Sequence, residues 1–464
     1  MFALYSPLAR SIFGDYLALL LNRMGEIRDP IHVFVRYGPY EEKIIGSRAF
    51  QRLRYIHQLA LTYLVYPGAT HRRFEHCLGV MEVASRIYDV VTNPQNIYHD
   101  SVRDFVPRVK DDRLGHEYWG KVLRCAALCH DLGHLPFSHA AEKDLLPEGW
   151  DHERLSQEII MGKEFEHVWK ELKIQPEDVA KLALGPKKCK FEFSDWETIL
   201  SEIIVGDVFG ADRIDYLLRD SYHAGVSYGR FDHYRLIDTL RILPASRKDS
   251  QEPGLGIERG GLESAESLLW ARYFMYTQLY FHPARRIYDM HLMEFLKEWL
   301  PGGRFPTEVD KHVSLSDNEV TAGMWNAAAN SAERSHVLAK RIISREHFRQ
   351  VYDPSSADQR SALEPAKNMF EALIEQFGAD HVRRDTYAQK GGSYDFPVYT
   401  KAREIDSSLA LSQTLSKVPT FSVDRVYVSV AVRDEAERWI GENRNKIIAG
   451  TPREEHSNGT LSES

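Results

Sequence analysis

With 464 residues, 43% of them hydrophobic and 27% charged, the chain suits a soluble globular protein with a sizeable core. A net charge of −8 disfavours a generic nucleic-acid binder, which would be basic. The four cysteines (Cys77, Cys125, Cys129 and Cys189) form no CxxC pair and no secreted framework, so they read as small core residues in a reducing cytosol.

Residues 1–27 read as a helical arm. Their apolar run, 16–21, is bracketed by Asp15 and Arg23; it is too short to span a membrane and lacks a signal-peptide plan, so the expected location is cytoplasmic. A short strand is expected over 31–35 before Gly38 and Pro39. From Ser47 the apolar positions Phe50, Leu53, Ile56 and Ala60 recur at helical spacing. That spacing leaves Arg52 and Arg54 on other faces, and both read as solvated surface, as do Arg285 and Arg286 further on. Pro67 and Gly68 stop that pattern. Thr70 is the expected cap of the next helix, on which His76, Val80, Val83 and Ile87 share an inward face.

Residues 117–128 form a helix that delivers His130 and Asp131, and Gly133 and Pro136 then break the periodicity. Asp151 caps a further helix with His152 in its first turn. A helix over 196–208 leads into GADRIDYLLRD, where Asp212, Asp215 or Tyr216, and Arg219 lie close to one face. Residues 244–263 read as a loop or hairpin insertion. Residues 262–299 read as strongly helical and aromatic, and 302–324 as a hinge-like connection. Past about residue 345 the pattern changes to a helix over 366–377, alternating stretches at 395–401 and 425–432, and a last helix over 434–446. The domain expectation is therefore an arm (1–27), a main helical domain (28–345), a small α+β lobe (346–446) and a disordered polar tail (447–464).

Three segments supply inward-pointing ligand types: His76, His130 with Asp131, and Asp212. Two imidazoles and two carboxylates make a mixed nitrogen and oxygen site that suits Fe, Mn, Zn or Ni better than Ca. Imidazoles and a carboxylate at the end of a buried helix are costly unless something pairs with them, and a divalent metal is one such partner.

The strings HRRFEHCLG (71–79), HDLGHLPFSH (130–139) and DRIDYLLRD (212–220), with FQRLRYIHQL (50–59), resemble the HD-domain phosphohydrolases. The similarity is greatest to their deoxynucleoside triphosphate triphosphohydrolase branch, the sterile-alpha-motif/HD-domain dNTPase family, here without a counterpart of the sterile alpha motif. The resemblance covers about 28–300 and implies a mainly α fold: an HD-domain helical bundle with a small α+β C-terminal lobe. It makes His76, His130, Asp131 and Asp212 the metal ligands. His134, Glu142 and His152 match the catalytic group beside the α-phosphoryl ester, with Glu142 where the family usually has Asp. Arg73 and His139 match phosphate contacts. Gln58, Leu59, Tyr216, Asp220, Arg272, Tyr276 and Tyr280 match positions lining the sugar and phosphate pocket.

What the resemblance implies is a dNTP triphosphohydrolase: one catalytic divalent metal, Mg²⁺ carried with the substrate triphosphate, and release of deoxynucleoside and inorganic triphosphate. It also implies a homo-oligomer, dimer or tetramer, with a regulatory nucleotide at a subunit interface. At that interface the family's acidic guanine-binding position is Gly46 here, which has no side chain to accept a hydrogen bond. Two alternatives stand beside it: an HD phosphohydrolase for a nucleoside monophosphate or cyclic dinucleotide, and a nucleotide-sensing or nucleic-acid-binding protein with a degenerate site. The complete ligand set argues against the second.

Overall fold

A computed structural model describes residues 24–104, 106, 113–138, 142–244, 253–388 and 394–449. The main body is helical. Helix Arg73–Val91 packs between helix Arg113–Cys129 and helix Ala211–Ala224, and helix Pro176–Leu184 covers the far side of Arg113–Cys129. Their facing side chains, Leu78, Val80, Met81, Ala126, Leu128 and Leu217 among them, form the largest core cluster. Burial of such apolar faces, rather than helix propensity, holds helices of this length together.

The expected helix from Ser47 is cut short. Ser47 caps Arg48–Arg52, accepting from Phe50 N–H at 3.2 Å. After a 3₁₀ turn, Leu53–Tyr55, the backbone turns extended: Gln58 N–H donates to His71 O and Arg73 N–H to Ile56 O, both at 3.0 Å. Tertiary pairing thus overrides the local period and brings Gln58 and Leu59 beside the start of the next helix. That helix begins at Arg73 rather than just after Thr70, because Glu75 turns back to take the Arg72 N–H at 2.7 Å.

Other boundaries also move. A hairpin, Gly25–Asp29 with Val33–Tyr37, replaces the lone strand expected over 31–35 and takes the last residues of the expected arm. The rest of the arm, 1–23, lies outside the described residues, as does the tail from 450. The final helix, Arg433–Ala449, continues into what was expected to be tail. The long helical stretch divides into Leu262–Phe274, a π-helical turn Met275–Tyr280, and Pro283–Trp299, where Pro283 starts the new helix without needing an N–H partner. The hinge expected over 302–324 instead contains helices Val309–Val313 and Asp317–Ala329, the second closed by a Ser316–Glu319 capping box.

In the C-terminal part, Val382–Ala388 and Arg349–Tyr352 flank Ser422–Val428 in an antiparallel sheet covered by helices Pro365–Phe377 and Arg433–Ala449. This is the expected small α+β lobe. One of its strands leaves it: Pro397–Tyr399 pairs in parallel with Pro253–Glu258, the second strand of the hairpin in the 244–263 insertion.

Glu294 ties helix Pro283–Trp299 to this lobe, accepting from Arg341 at 2.7 Å and from Arg383. Burial opposes its charge, but His291 and Arg383 outweigh it and hold its pKa at about 2, against about 4.5 for an ordinary glutamate. A depressed carboxyl stabilises the fold above its unfolded pKa and loses that contribution as pH falls through the folded value. The contribution is full near neutrality, on the order of 2–3 kcal/mol, and disappears from about pH 4.5 down to about 2. Urea midpoints of Glu294→Gln and the parent protein should differ most at pH 7 and converge across that window; a gap that stays constant would contradict this assignment.

Candidate metal centre and its cavity

Helix Arg73–Val91 presents His76 one turn from its N-terminus, and helix Arg113–Cys129 ends so that His130 and Asp131 follow directly. Helix Ala211–Ala224 brings Asp212 at its second position. One ligand atom each of the buried residues His76, His130 and Asp131 lies within 4.8 Å of the others. Asp212 completes the group: its Oδ1 is 3.0 Å from His76 Nε2 and 3.8 Å from His130 Nε2.

The two imidazoles are fixed from behind, so that each turns Nε2 inward. His76 Nδ1 donates to Asp215 at 2.8 Å, and His130 Nδ1 donates to the Ala127 carbonyl at 2.8 Å. Such outer contacts are what orient metal-binding histidines. Asp215 is itself held by Arg219 and by His32 at 2.7 Å, all with no exposed side-chain surface. Among the described residues the inward edge of His130 makes no hydrogen bond, the nearest carboxylate oxygens standing 3.4 and 3.8 Å away. An unmatched, buried imidazole nitrogen facing two carboxylates is what a divalent cation would complete.

The electrostatics agree with this fit. Burial works against a proton on His76, but Asp212 and Asp215 outweigh it and push its pKa up to about 10. Burial also opposes charge on Asp131 and Asp212; around Asp131 the charges of His130 and Arg73, and around Asp212 the imidazoles of His130 and His76, hold both carboxyls below the usual range. The cluster therefore attracts positive charge, which a metal can supply in place of the proton. Cys77 and Cys129 are buried beside it, and burial raises both thiols well above their ordinary value, so they remain neutral core groups.

Beside this cluster His134 and His152 stack, ring centres 4.1 Å apart. Their proton affinities diverge. Burial, then Arg73 and His152, push His134 well below its ordinary value. Burial also disfavours the His152 cation, but Glu142, whose carboxylate accepts from His152 Nδ1 at 2.7 Å, outweighs it and raises that pKa. A neutral and a readily protonated imidazole thus face one another over the same space.

Both stacked rings line a cavity of about 790 Å³ that also reaches Asp131 and Asp212. Gln58, Leu59, Arg73, Tyr216, Asp220, Tyr276 and Tyr280 all line it. Asp220 is clamped between His71 Nε2 and the Tyr280 hydroxyl, each at 2.7 Å. Arg272 is not in this cavity. It stands 5.5 Å from the Tyr276 ring centre, on a separate small pocket, and donates to the Asp207 carbonyl at 3.2 Å. His139 lies outside the described residues.

Three of the four arginines expected at the surface are elsewhere. Arg52 is buried and donates to the carbonyls of Leu315 and His134 at 2.6 and 2.9 Å. Arg285 and Arg286 line the cavity, Arg286 in a two-pronged pair with Asp385 of the lobe. Arg54 is exposed, as expected, and lies over the Phe74 ring. Asp215 was present in the sequence only as one of several residues on a helix face; its place three residues after Asp212 was the available signal. The lobe residues Asp385 and Tyr387 on the cavity wall had none.

Comparison with known proteins supplies a family context. A model of the HD domain matches residues 73–186, and one of the HD associated region matches 231–380. A curated protein of Bacillus subtilis, YwfO, described as uncharacterized, is 36% identical over 275 residues, covering 58% of this chain and 54% of its own. The human deoxynucleoside triphosphate triphosphohydrolase SAMHD1 is 32% identical over 245 residues, 48% of this chain and 37% of its own. The chain spans about half the length, or less, of curated relatives that it matches. Among solved structures, a hypothetical protein from Aquifex aeolicus superposes with a TM-score of 0.72 at 31% identity, covering 89% of this chain and 99% of that one.

Proposed function

The chain belongs to the HD-domain family, and from that premise we propose that it is a metal-dependent phosphohydrolase that cleaves deoxynucleoside triphosphates to deoxynucleoside and inorganic triphosphate. The observation that carries this reading is the single cavity that runs from the His/Asp cluster, past the stacked histidines, to the Asp220–Tyr280 pair. It offers a place for a phosphoryl group, a proton donor beside it and a wall for a sugar.

His76, His130, Asp131 and Asp212 would hold one divalent ion, of Fe, Mn, Zn or Ni type by donor set. When bound, it supplies Lewis-acid charge toward a phosphoryl oxygen. Arg73, which donates to both Asp131 and Ser138, keeps a fixed cation where phosphate charge accumulates. His152 carries its proton with Nδ1 on Glu142, so Nε2 is the edge that gives a proton to the departing 5′ oxygen. The neutral His134 ring stacked on it keeps that edge in place without adding a competing charge.

The reading is tested by assaying a panel of dNTPs, NTPs and nucleoside monophosphates with Mn²⁺ or Mg²⁺. Inorganic triphosphate released from dNTPs is the expected product. Pyrophosphate or single phosphate, or turnover confined to monophosphates, would contradict it.

A further inference from the structure

Two consecutive residues without the freedom of glycine, Phe137 and Ser138, occupy the left-handed region, with φ of 57° and 61°. Such backbone is strained for L-residues and persists only where its surroundings enforce it. The surroundings here converge on one carboxylate. Asp317, 1% exposed at the first position of helix Asp317–Ala329, accepts the Phe137 N–H at 2.7 Å on Oδ1. Its Oδ2 accepts from the backbone N–H and from Nδ1 of His57, at 2.7 and 2.6 Å. The His57 ring lies nearly parallel to that of Phe137, at 7° and 5.8 Å between centres. On the other side of the turn Arg52 holds the carbonyls of His134 and Leu315.

The second of these residues, Ser138, donates its hydroxyl to His57 O at 3.0 Å and accepts from Arg73 Nε and Nη2 at 3.0 and 2.9 Å. The third Arg73 nitrogen meets Asp131. Among the described residues Ser138 is thus the one neutral anchor that sets where the guanidinium stands against the candidate metal cluster. Extended or right-handed backbone at 137–138 would carry that hydroxyl away from Arg73.

We infer that Asp317 is a positioning residue: by holding Phe137 and Ser138 in left-handed backbone it fixes the Arg73 guanidinium for contact with a substrate polyphosphate. Asp317 lies outside the residues matched by the HD-domain model. Its role rests on the functional reading above. It acts through Ser138 and Arg73, without touching substrate.

The test is a double-mutant cycle of Asp317→Asn and Ser138→Ala in the full-length, metal-loaded chain, with metal content and thermal midpoint recorded for each variant. Each single change should lower kcat/KM for dNTP cleavage by about 10- to 100-fold, the scale of one hydrogen bond to a charged group. The double variant should lose no more than the worse single one, because both changes break the same path. Hydrolysis of bis(p-nitrophenyl) phosphate, a diester with no polyphosphate for Arg73 to grip, should stay within about twofold of the parent. Read a second way, inhibition of diester hydrolysis by inorganic triphosphate should weaken in the same non-additive pattern, and this arm needs no dNTP turnover. If dNTPs are not cleaved but that inhibition cycle holds, the substrate reading fails and the role of Asp317 stands. Equal loss on diester and dNTP, multiplicative losses in the double variant, or no triphosphate inhibition of the parent would each overturn the inference.

Discussion

His130→Ala should purify without bound metal and turn over at least about 10³-fold more slowly, the scale expected when a Lewis acid worth several kcal/mol is lost. The helical fold should survive, because among the described residues His130 contributes only one side-chain hydrogen bond, to the Ala127 carbonyl. Asp131→Ala should behave differently. It removes a ligand and also strips the buried Arg73 of its carboxylate partner, and an unpaired buried charge costs about 3–5 kcal/mol. That variant should lose metal and melt earlier, whereas Asp131→Asn should lose metal with a smaller stability change. Metal analysis with a thermal melt on the three proteins separates these outcomes. A His130→Ala enzyme with full metal and full activity would remove the cluster from the mechanism.

The second large effect concerns the sugar. ATP should be cleaved about 10²-fold more slowly than dATP or worse, because a site that blocks or leaves unpaired a hydroxyl discriminates strongly. In the proposed reading Tyr280 is the sugar wall: its hydroxyl is committed to Asp220 at 2.7 Å, and its ring meets Tyr276 edge-on at 5.3 Å. Asp220 is in turn committed to His71, so the wall has little room to yield to an added 2′ oxygen. Tyr280→Ala should narrow the preference, by raising the ATP rate relative to dATP, with metal content unchanged. Initial rates on the two nucleotides with parent and variant decide this, and equal rates in the parent would contradict it.

How much of this was legible in the sequence depends on how far apart the partners lie. The candidate metal cluster was legible because its residues sit in short strings whose spacing follows from helix geometry, so that HD at the end of an apolar helix and DRID at the start of another already bring these side chains toward one another. Helix Asp317–Ala329 was legible in principle: Ser316 and Glu319 spell a capping box, but the surrounding Gly, Pro and Ser hid it within an expected hinge. What could not be read was any long-range polar partnership. Asp215 meets His32 across 183 residues and Asp317 meets His57 across 260. Arg52 looks like a surface arginine until the carbonyls of 134 and 315 fold around it. The strand Pro397–Tyr399 carries no mark that it will pair outside its own lobe, since pairing with Pro253–Glu258 depends on tertiary placement rather than on local pattern.

Hydrolysis of dATP in H₂¹⁸O, with the products separated and weighed by mass spectrometry, tests the central claim most directly. Attack at the α-phosphorus by water in the cavity, with His152 protonating the 5′ oxygen, puts one ¹⁸O into inorganic triphosphate and none into deoxyadenosine. Label in the deoxyadenosine, or in pyrophosphate or single phosphate, would contradict it.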